Sequence, residues 1–175
     1  MDLRDIKEFT KDTLSYILTA GVVLFVIIYV VTLQQVVGPS MDSTLKNQDI
    51  VILSKSHYKL FDMKRFDVIA FNYADTKYLI KRVIGLPGDK VEYKNNTLYI
   101  NDKIIEEEFL KDHITKDYDM SSLGYEVIPE GKYFVLGDNR ENSLDSRTFG
   151  LIDEKDVLGK VSIKIWPFYE FKIVN

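Results

Sequence analysis

The chain has 175 residues, enough for one ordinary domain or one domain with an anchor, and 46 % of them are hydrophobic. A net charge of −4 argues against nucleic acid as a partner, because that binding calls for a strongly basic face. Cysteine is absent and only two histidines occur, His57 and His113, which excludes a disulfide framework, a thiolate nucleophile and a cysteine metal site; no cofactor and no metal is expected.

The first element is an apolar run. Tyr16 to Leu33, YILTAGVVLFVIIYVVTL, carries no charge and no polar stripe. As a helix it spans roughly 27 Å, close to a hydrocarbon core of about 30 Å, and Val36 and Val37 extend it. It is longer than the apolar part of a cleaved signal peptide, and TLQQVVGPS offers no small-x-small cleavage site. The expectation is an uncleaved transmembrane signal-anchor over 16–37. Arg4, Lys7 and Lys11 precede it and the next lysine is Lys46, so the positive-inside rule puts 1–15 in the cytoplasm and 38–175 on the extracytoplasmic side of the cell membrane.

From Gln48 onward the pattern is strand-like. Asp49–Leu53, Phe66–Tyr73 and Tyr78–Leu86 are rich in β-branched and aromatic residues. KVEYKNNTLYIND predicts a hairpin turning at Asn95-Asn96, since Asn tolerates positive φ. KYFVLGD and GKVSIKIWPF add two strands. The stretch 106–131 is polar and mixed and is expected to be a loop-rich insertion, with Glu106, Glu107 and Glu108 a solvated face rather than a metal site. Many short strands with Gly and Asn turns indicate a mainly β domain, a barrel or a folded pair of sheets.

Three places can hold chemistry. Ser40 lies in VVGPSMDSTL, directly after the apolar run; its hydroxyl has a plain use in satisfying turn backbone, and to act as a nucleophile it needs a base. Lys81 lies inside YLIKRVIG, where alternation puts Leu79, Lys81 and Val83 on one face and Ile80, Arg82 and Ile84 on the other. A lysine in a strand is commonly a solubility device at an edge. The alternative is a desolvated lysine, whose pKa falls; a drop of about two units from about 10.4, roughly 2.7 kcal/mol, yields a general base near pH 8. Arg82 cannot serve, because guanidinium does not deprotonate in proteins. The third place is GDNRENSLDSR, Gly137 to Arg147. It is either a turn-rich loop or a site; Arg140 stands where a calcium loop needs a ligand. In extended conformation Ser143, Asp145 and Arg147 share a face, so Asp145 and Arg147 can pair and Ser143 can bond a lysine amine. STLK at Ser43–Lys46 matches the S-x-x-K of penicillin-binding proteins, but the S-D-N and K-T-G that accompany it there are missing.

Taken in order, the anchor, GPSM, QDIVIL, KRVIGLPGD and GDNRENSLDSRTFG resemble the bacterial type I signal peptidases over nearly the whole chain, and the single anchor resembles the shorter, Gram-positive kind. The resemblance implies a β-rich domain of two antiparallel sheets and a serine protease with a Ser–Lys dyad. By motif position Ser40 is the nucleophile and Lys81 the general base, Ser143 positions the lysine, and Asp145 with Arg147 forms a supporting ion pair. Asp138 belongs to the same motif in a structural role, and Gly38 and Met41 flank the nucleophile. The implied substrates are exported preproteins, cut after small residues at −1 and −3, and the implied surroundings are membrane lipid. The family's pattern carries proline where this chain has Ser43, which bears on substrate preference. Two rivals stand beside this reading: a self-cleaving repressor protease, against which the anchor speaks, and a signal-peptidase-like assembly factor that binds preproteins without cutting them.

Overall fold

The computed structural model describes residues 3–29, 31–55, 62–74, 77–110 and 113–174. His57 lies outside them. Helix α1 (Leu3–Tyr29) comes first, and among the described residues twelve strands follow, apart from short helical turns.

The apolar run does not behave as one element. The helix ends at Tyr29, and Val31–Gln35 is strand β1, antiparallel to β2 (Ile50–Ser54) from Val31↔Ser54 to Gln35↔Ile50. The anchor predicted over 16–37 is therefore too long at its C-terminal end. The reason is tertiary: Val31 and Thr32 are β-branched, and a partner strand of the same kind lies beside them. Among the described residues no helix is long and apolar enough to cross a membrane. The first half of α1 carries Arg4, Lys7, Glu8, Lys11 and Asp12, and the uncharged stretch from Leu14 to Tyr29 covers roughly 24 Å. Its apolar side chains stand open, Ile17, Leu18, Val22, Val23, Leu24 and Phe25 each being more than half exposed.

The remaining strands are β3 (Val68–Ala74), β4 (Lys77–Gly85), β5 (Val91–Lys94), β6 (Thr97–Ile100), β7 (Lys103–Ile105), β8 (Tyr118–Asp119), β9 (Lys132–Leu136), β10 (Ile152–Asp153), β11 (Val157–Trp166) and β12 (Lys172–Ile173). They form two antiparallel sheets. The larger runs β1-β2-β11-β3-β4-β9-β10, with β12 beside β11; the smaller runs β7-β6-β5-β8. The β5–β6 hairpin turns at Asn95 and Asn96, both at positive φ, and Asn101 and Asp102 repeat the device before β7.

The insertion at 106–131 is more ordered than its polarity suggests. Tyr118–Asp119 pairs with β5, a 3₁₀ turn follows over Met120–Leu123, and Thr115, Met120 and Ile128 are buried. Met120 and Ile128 complete the core beneath the smaller sheet with Val91, Tyr93, Leu98 and Phe134. Two further cores lie on opposite faces of the larger sheet: Val51, Leu53, Val68, Ala70 and Ile80 on one, and Ile69, Phe71, Val83 and Val135 on the other.

Candidate active site

The alternation of β4 holds. Lys81 sits opposite Ile69 of β3, and Arg82 sits between Val68 of β3 and Leu136 of β9. Both cations are buried, Lys81 at 1 % exposure and Arg82 at none. Two adjacent buried cations in one strand are costly unless each is answered, and each is answered differently.

Arg82 is answered by charge. Its Nε and Nη2 bond Oδ1 and Oδ2 of buried Asp138 at 2.9 and 2.7 Å. The same Nη2 donates to Thr44 Oγ1 at 3.0 Å, and Thr44 Oγ1 donates to Asp138 Oδ2 at 2.5 Å. Nη1 donates to the Phe66 carbonyl at 2.8 Å, and the guanidinium lies 3.8 Å from the centre of the Phe109 ring. A planar fork with several donors suits this multiple engagement. Asp138 thus ties the 137–147 segment to β4, and Thr44 adds the loop that carries Ser40.

Among the described residues Lys81 meets no carboxylate within hydrogen-bond reach. Its Nζ lies 2.6 Å from Ser40 Oγ and donates to the Ile80 carbonyl at 3.0 Å. Burial drives its pKa down to about 8, against the pull of the more distant Asp145 and Asp138. A large fraction of Lys81 is therefore the neutral amine near pH 8.

Ser40 is held by its loop. Gly38 has φ of 89°, a conformation that side chains rarely adopt, and its N–H donates to Asn47 Oδ1 at 2.9 Å. Met41 is buried in the core, and its carbonyl accepts from the N–H groups of Thr44 and Leu45. The Ser40 carbonyl accepts from the Asn139 N–H at 3.0 Å, and Asn139 Nδ2 donates to the Pro39 carbonyl at 3.2 Å. Gly137 permits this approach: a Cβ there would stand 2.5 Å from the Ser40 carbonyl oxygen.

The 137–147 segment is pinned throughout. Asp145, fully buried, takes Arg147 Nε and Nη2 at 2.8 Å each and the Gly137 N–H at 3.1 Å. Arg147 Nη2 also donates to the Arg140 carbonyl. Ser143 is placed differently from the sequence expectation. Its Oγ is buried beside Gly137 without a hydrogen bond among the described residues, so it does not bond the Lys81 amine. That amine is engaged by Ser40 and the Ile80 carbonyl.

The sequence reading missed a second buried pair. Arg140 Nη2 lies 2.5 Å from Glu107 Oε1, and Arg140 Nη1 donates to Tyr93 Oη and Thr115 Oγ1 at 3.0 and 2.8 Å. Glu107 is thus not part of a solvated face, whereas Glu106 and Glu108 are exposed. The signal was faint: Arg140 sits between residues that carry the site, and nothing near it in sequence marks Glu107 as its partner. Ser146 was also passed over; buried, its Oγ accepts from the Val135 N–H of β9 at 2.9 Å.

Beside Ser40 and Lys81, Val36, Met41, Leu79 and Ile80 help line a recess of about 30 Å³. β9 pairs with β4 only from Arg82 to Gly85. On that side residues 78–81 have no strand partner among the described residues.

A family model described as signal peptidase, peptidase S26, matches residues 7–166. A signal peptidase IB from Staphylococcus aureus is 45 % identical over 179 aligned residues, covering 93 % of this chain and 94 % of that protein. A signal peptidase I from Bacillus caldolyticus is 39 % identical, covering 77 % of this chain and 79 % of that protein. Among solved structures, a signal peptidase I from Enterococcus faecalis V583 superposes with a TM-score of 0.53 at 39 % identity, covering 58 % of this chain and 98 % of that one. The match runs through the Ser40 loop, both cations of β4 and the whole 137–147 segment, and on it the chain belongs to the signal peptidase family, peptidase S26.

Proposed function

We propose that this protein is a membrane-tethered serine endopeptidase that removes N-terminal signal peptides from exported preproteins, with Ser40 as nucleophile and Lys81 as general base. The observation that carries the reading is the 2.6 Å approach of a buried lysine amine to the Ser40 hydroxyl. A serine needs a base within hydrogen-bond reach, and a base works best with its pKa near the working pH.

With the amine neutral, the Ser40 hydroxyl donates to Nζ. As Oγ bonds to the scissile carbonyl carbon, its proton passes to Lys81. The carbonyl oxygen becomes an oxyanion, and the Ser40 N–H, which has no acceptor among the described residues, is one donor for it. The ammonium then gives its proton to the leaving nitrogen, the C–N bond breaks, and an acyl-enzyme remains. Water adds to the ester with Lys81 again taking a proton, and the proton returns to Oγ as the ester opens. An ammonium has three N–H groups. Ser40 Oγ and the Ile80 carbonyl accept two of them.

The unpartnered edge at 78–81 suits an extended peptide that adds as a strand. The small recess suits a short side chain next to the scissile bond, as the A-x-A pattern requires. The exposed apolar side chains of helix α1 support a tether at the bilayer. They need lipid cover, and Arg4, Lys7 and Lys11 keep the helix start on the cytoplasmic side.

The test is incubation of the purified full chain in detergent with preproteins, followed by N-terminal sequencing of the products. The wild type is expected to cut after a small-x-small motif, and Ser40→Ala to be inert while folding normally. An inert wild type, or an active Ser40→Ala variant, overturns the reading.

A further inference from the structure

The loop that presents Ser40 has a third support, at the end of the chain. The loop closes where Val36 N–H donates to the Asp49 carbonyl at 2.8 Å and Gln48 N–H donates to the Val36 carbonyl at 2.9 Å. The Asp49 carboxylate, buried, accepts from the Lys46 N–H at 2.8 Å. The same carboxylate oxygen lies 3.0 Å from Nζ of Lys164 on β11, a lysine only 2 % exposed. Lys164 Nζ donates in turn to Glu170 Oε2 at 2.5 Å, and the other Glu170 oxygen lies 3.5 Å from Lys46 Nζ. Lys46 is therefore gripped at both ends, its backbone by Asp49 and its ammonium by Glu170. Glu170 belongs to a single 3₁₀ turn, Phe168–Glu170, which is fastened on its far side by β12 and by the Val174 N–H donating to the Ser162 carbonyl at 3.0 Å.

We infer that this C-terminal turn is a clamp on the nucleophile loop, with Glu170 and Lys164 as positioning residues that fix Ser40 against Lys81. The inference rests on the assignment of Ser40 as nucleophile. Glu170 lies beyond Trp166, the last residue that the family model matches. Neither residue approaches the dyad: they act through Asp49 and Lys46, and from there through the turn in which the Thr44 and Leu45 N–H groups bond the Met41 carbonyl. A loss of precision at Ser40 slows attack without altering the recess or the free edge of β4 that receives substrate.

The clamp therefore predicts a split between kcat and KM. In the full chain, Glu170→Ala removes both of its contacts at a half-exposed position where the fold tolerates change. It is expected to lower kcat about tenfold, with KM within twofold of wild type and the pH midpoint still near 8. Lys46→Met is expected to lower kcat about threefold. The double variant is expected to fall no further than Glu170→Ala alone, because both act through one grip. Glu170→Gln keeps the length and an acceptor oxygen and is expected to recover most of the rate. Unchanged kcat in Glu170→Ala, a rise in KM without a fall in kcat, or a loss matched by an equal loss of folded protein overturns the clamp. Wild type and Ser40→Ala run alongside keep the two readings apart. If wild type cuts and Ser40→Ala does not, an unaffected Glu170→Ala sinks the clamp alone; if wild type is inert, the nucleophile assignment fails first.

Discussion

Two lysines of this protein are buried to nearly the same degree, Lys81 at 1 % exposure on β4 and Lys164 at 2 % on β11, yet their charges are treated in opposite ways. Lys81 faces a hydroxyl and a backbone carbonyl, and burial brings its pKa to about 8. For Lys164 burial also works against the charge, but hydrogen bonds to Glu170 and Asp49 outweigh it and its pKa is raised. Burial by itself therefore does not make a base. What distinguishes the two is whether a carboxylate is allowed within reach of the amine. Around Lys81 the nearest carboxylates are already committed, Asp138 to Arg82 and Asp145 to Arg147. The ion pairs that flank Ser40 and Lys81 keep two negative charges occupied, and burial then lowers the pKa of the lysine.

The comparison breaks most sharply at Lys81→Arg. A guanidinium keeps the charge but cannot accept the Ser40 proton; loss of a general base costs about 10²–10⁴ in rate, and preprotein cleavage is expected to fall to the bottom of that range at every pH. An active arginine variant would remove Lys81 as base. At the other lysine, Lys164→Met leaves buried Asp49 without its cation, a loss of about 3–5 kcal/mol that thermal melting reads as a fall of roughly 10 °C. For the wild-type enzyme, kcat/KM is expected to rise about tenfold per unit up to the Lys81 midpoint near pH 8 and then level; a flat profile between about pH 6 and 10 contradicts the assignment.

The smallest effect has the opposite sign. Holding Lys81 at about 8 rather than 10.5 costs the fold about 3 kcal/mol below pH 8. The unfolded chain binds the extra proton between those values, so wild-type stability from this group rises with pH across about 8 to 10.5. Lys81→Met removes that cost and also loses two hydrogen bonds. Denaturant unfolding at about pH 6 should show the inactive variant more stable by about 1–2 kcal/mol, with the advantage gone by about pH 10.5. A destabilised Lys81→Met at pH 6 would mean that the lysine stabilises the fold, as Lys164 does.

Much of this was legible from local pattern. Alternation in YLIKRVIG set Lys81 and Arg82 on opposite faces, and the strands of the larger sheet fell where β-branched residues cluster, because strand periodicity is a local signal. The losses came where a distant partner decides. Val31–Gln35 continues an apolar run and looks helical until β2 is laid beside it. Glu107 looks solvated until Arg140, 33 residues on, closes over it. Asp145 and Arg147 were legible as a pair because they stand two positions apart, while Ser143, judged by the same spacing, turned toward Gly137 instead. Lys164 in KVSIKIW carries nothing to set it apart from an ordinary strand lysine; its carboxylates come from Asp49 and from the turn after β11.

The placing of Ser40 also bears on when the candidate site assembles. The hydroxyl lies within the first quarter of the chain, but its supports come from Lys81 and Arg82, from the 137–147 segment and from the turn at Phe168–Glu170. A chain that emerges N-terminus first exposes its serine long before those partners exist, and such long-range contacts form late in folding. During its synthesis the protein thus holds Ser40 before the groups that position it are present. The order of synthesis, serine first and its partners after, leaves the site unassembled until β4, the 137–147 segment and the Phe168–Glu170 turn have folded around it.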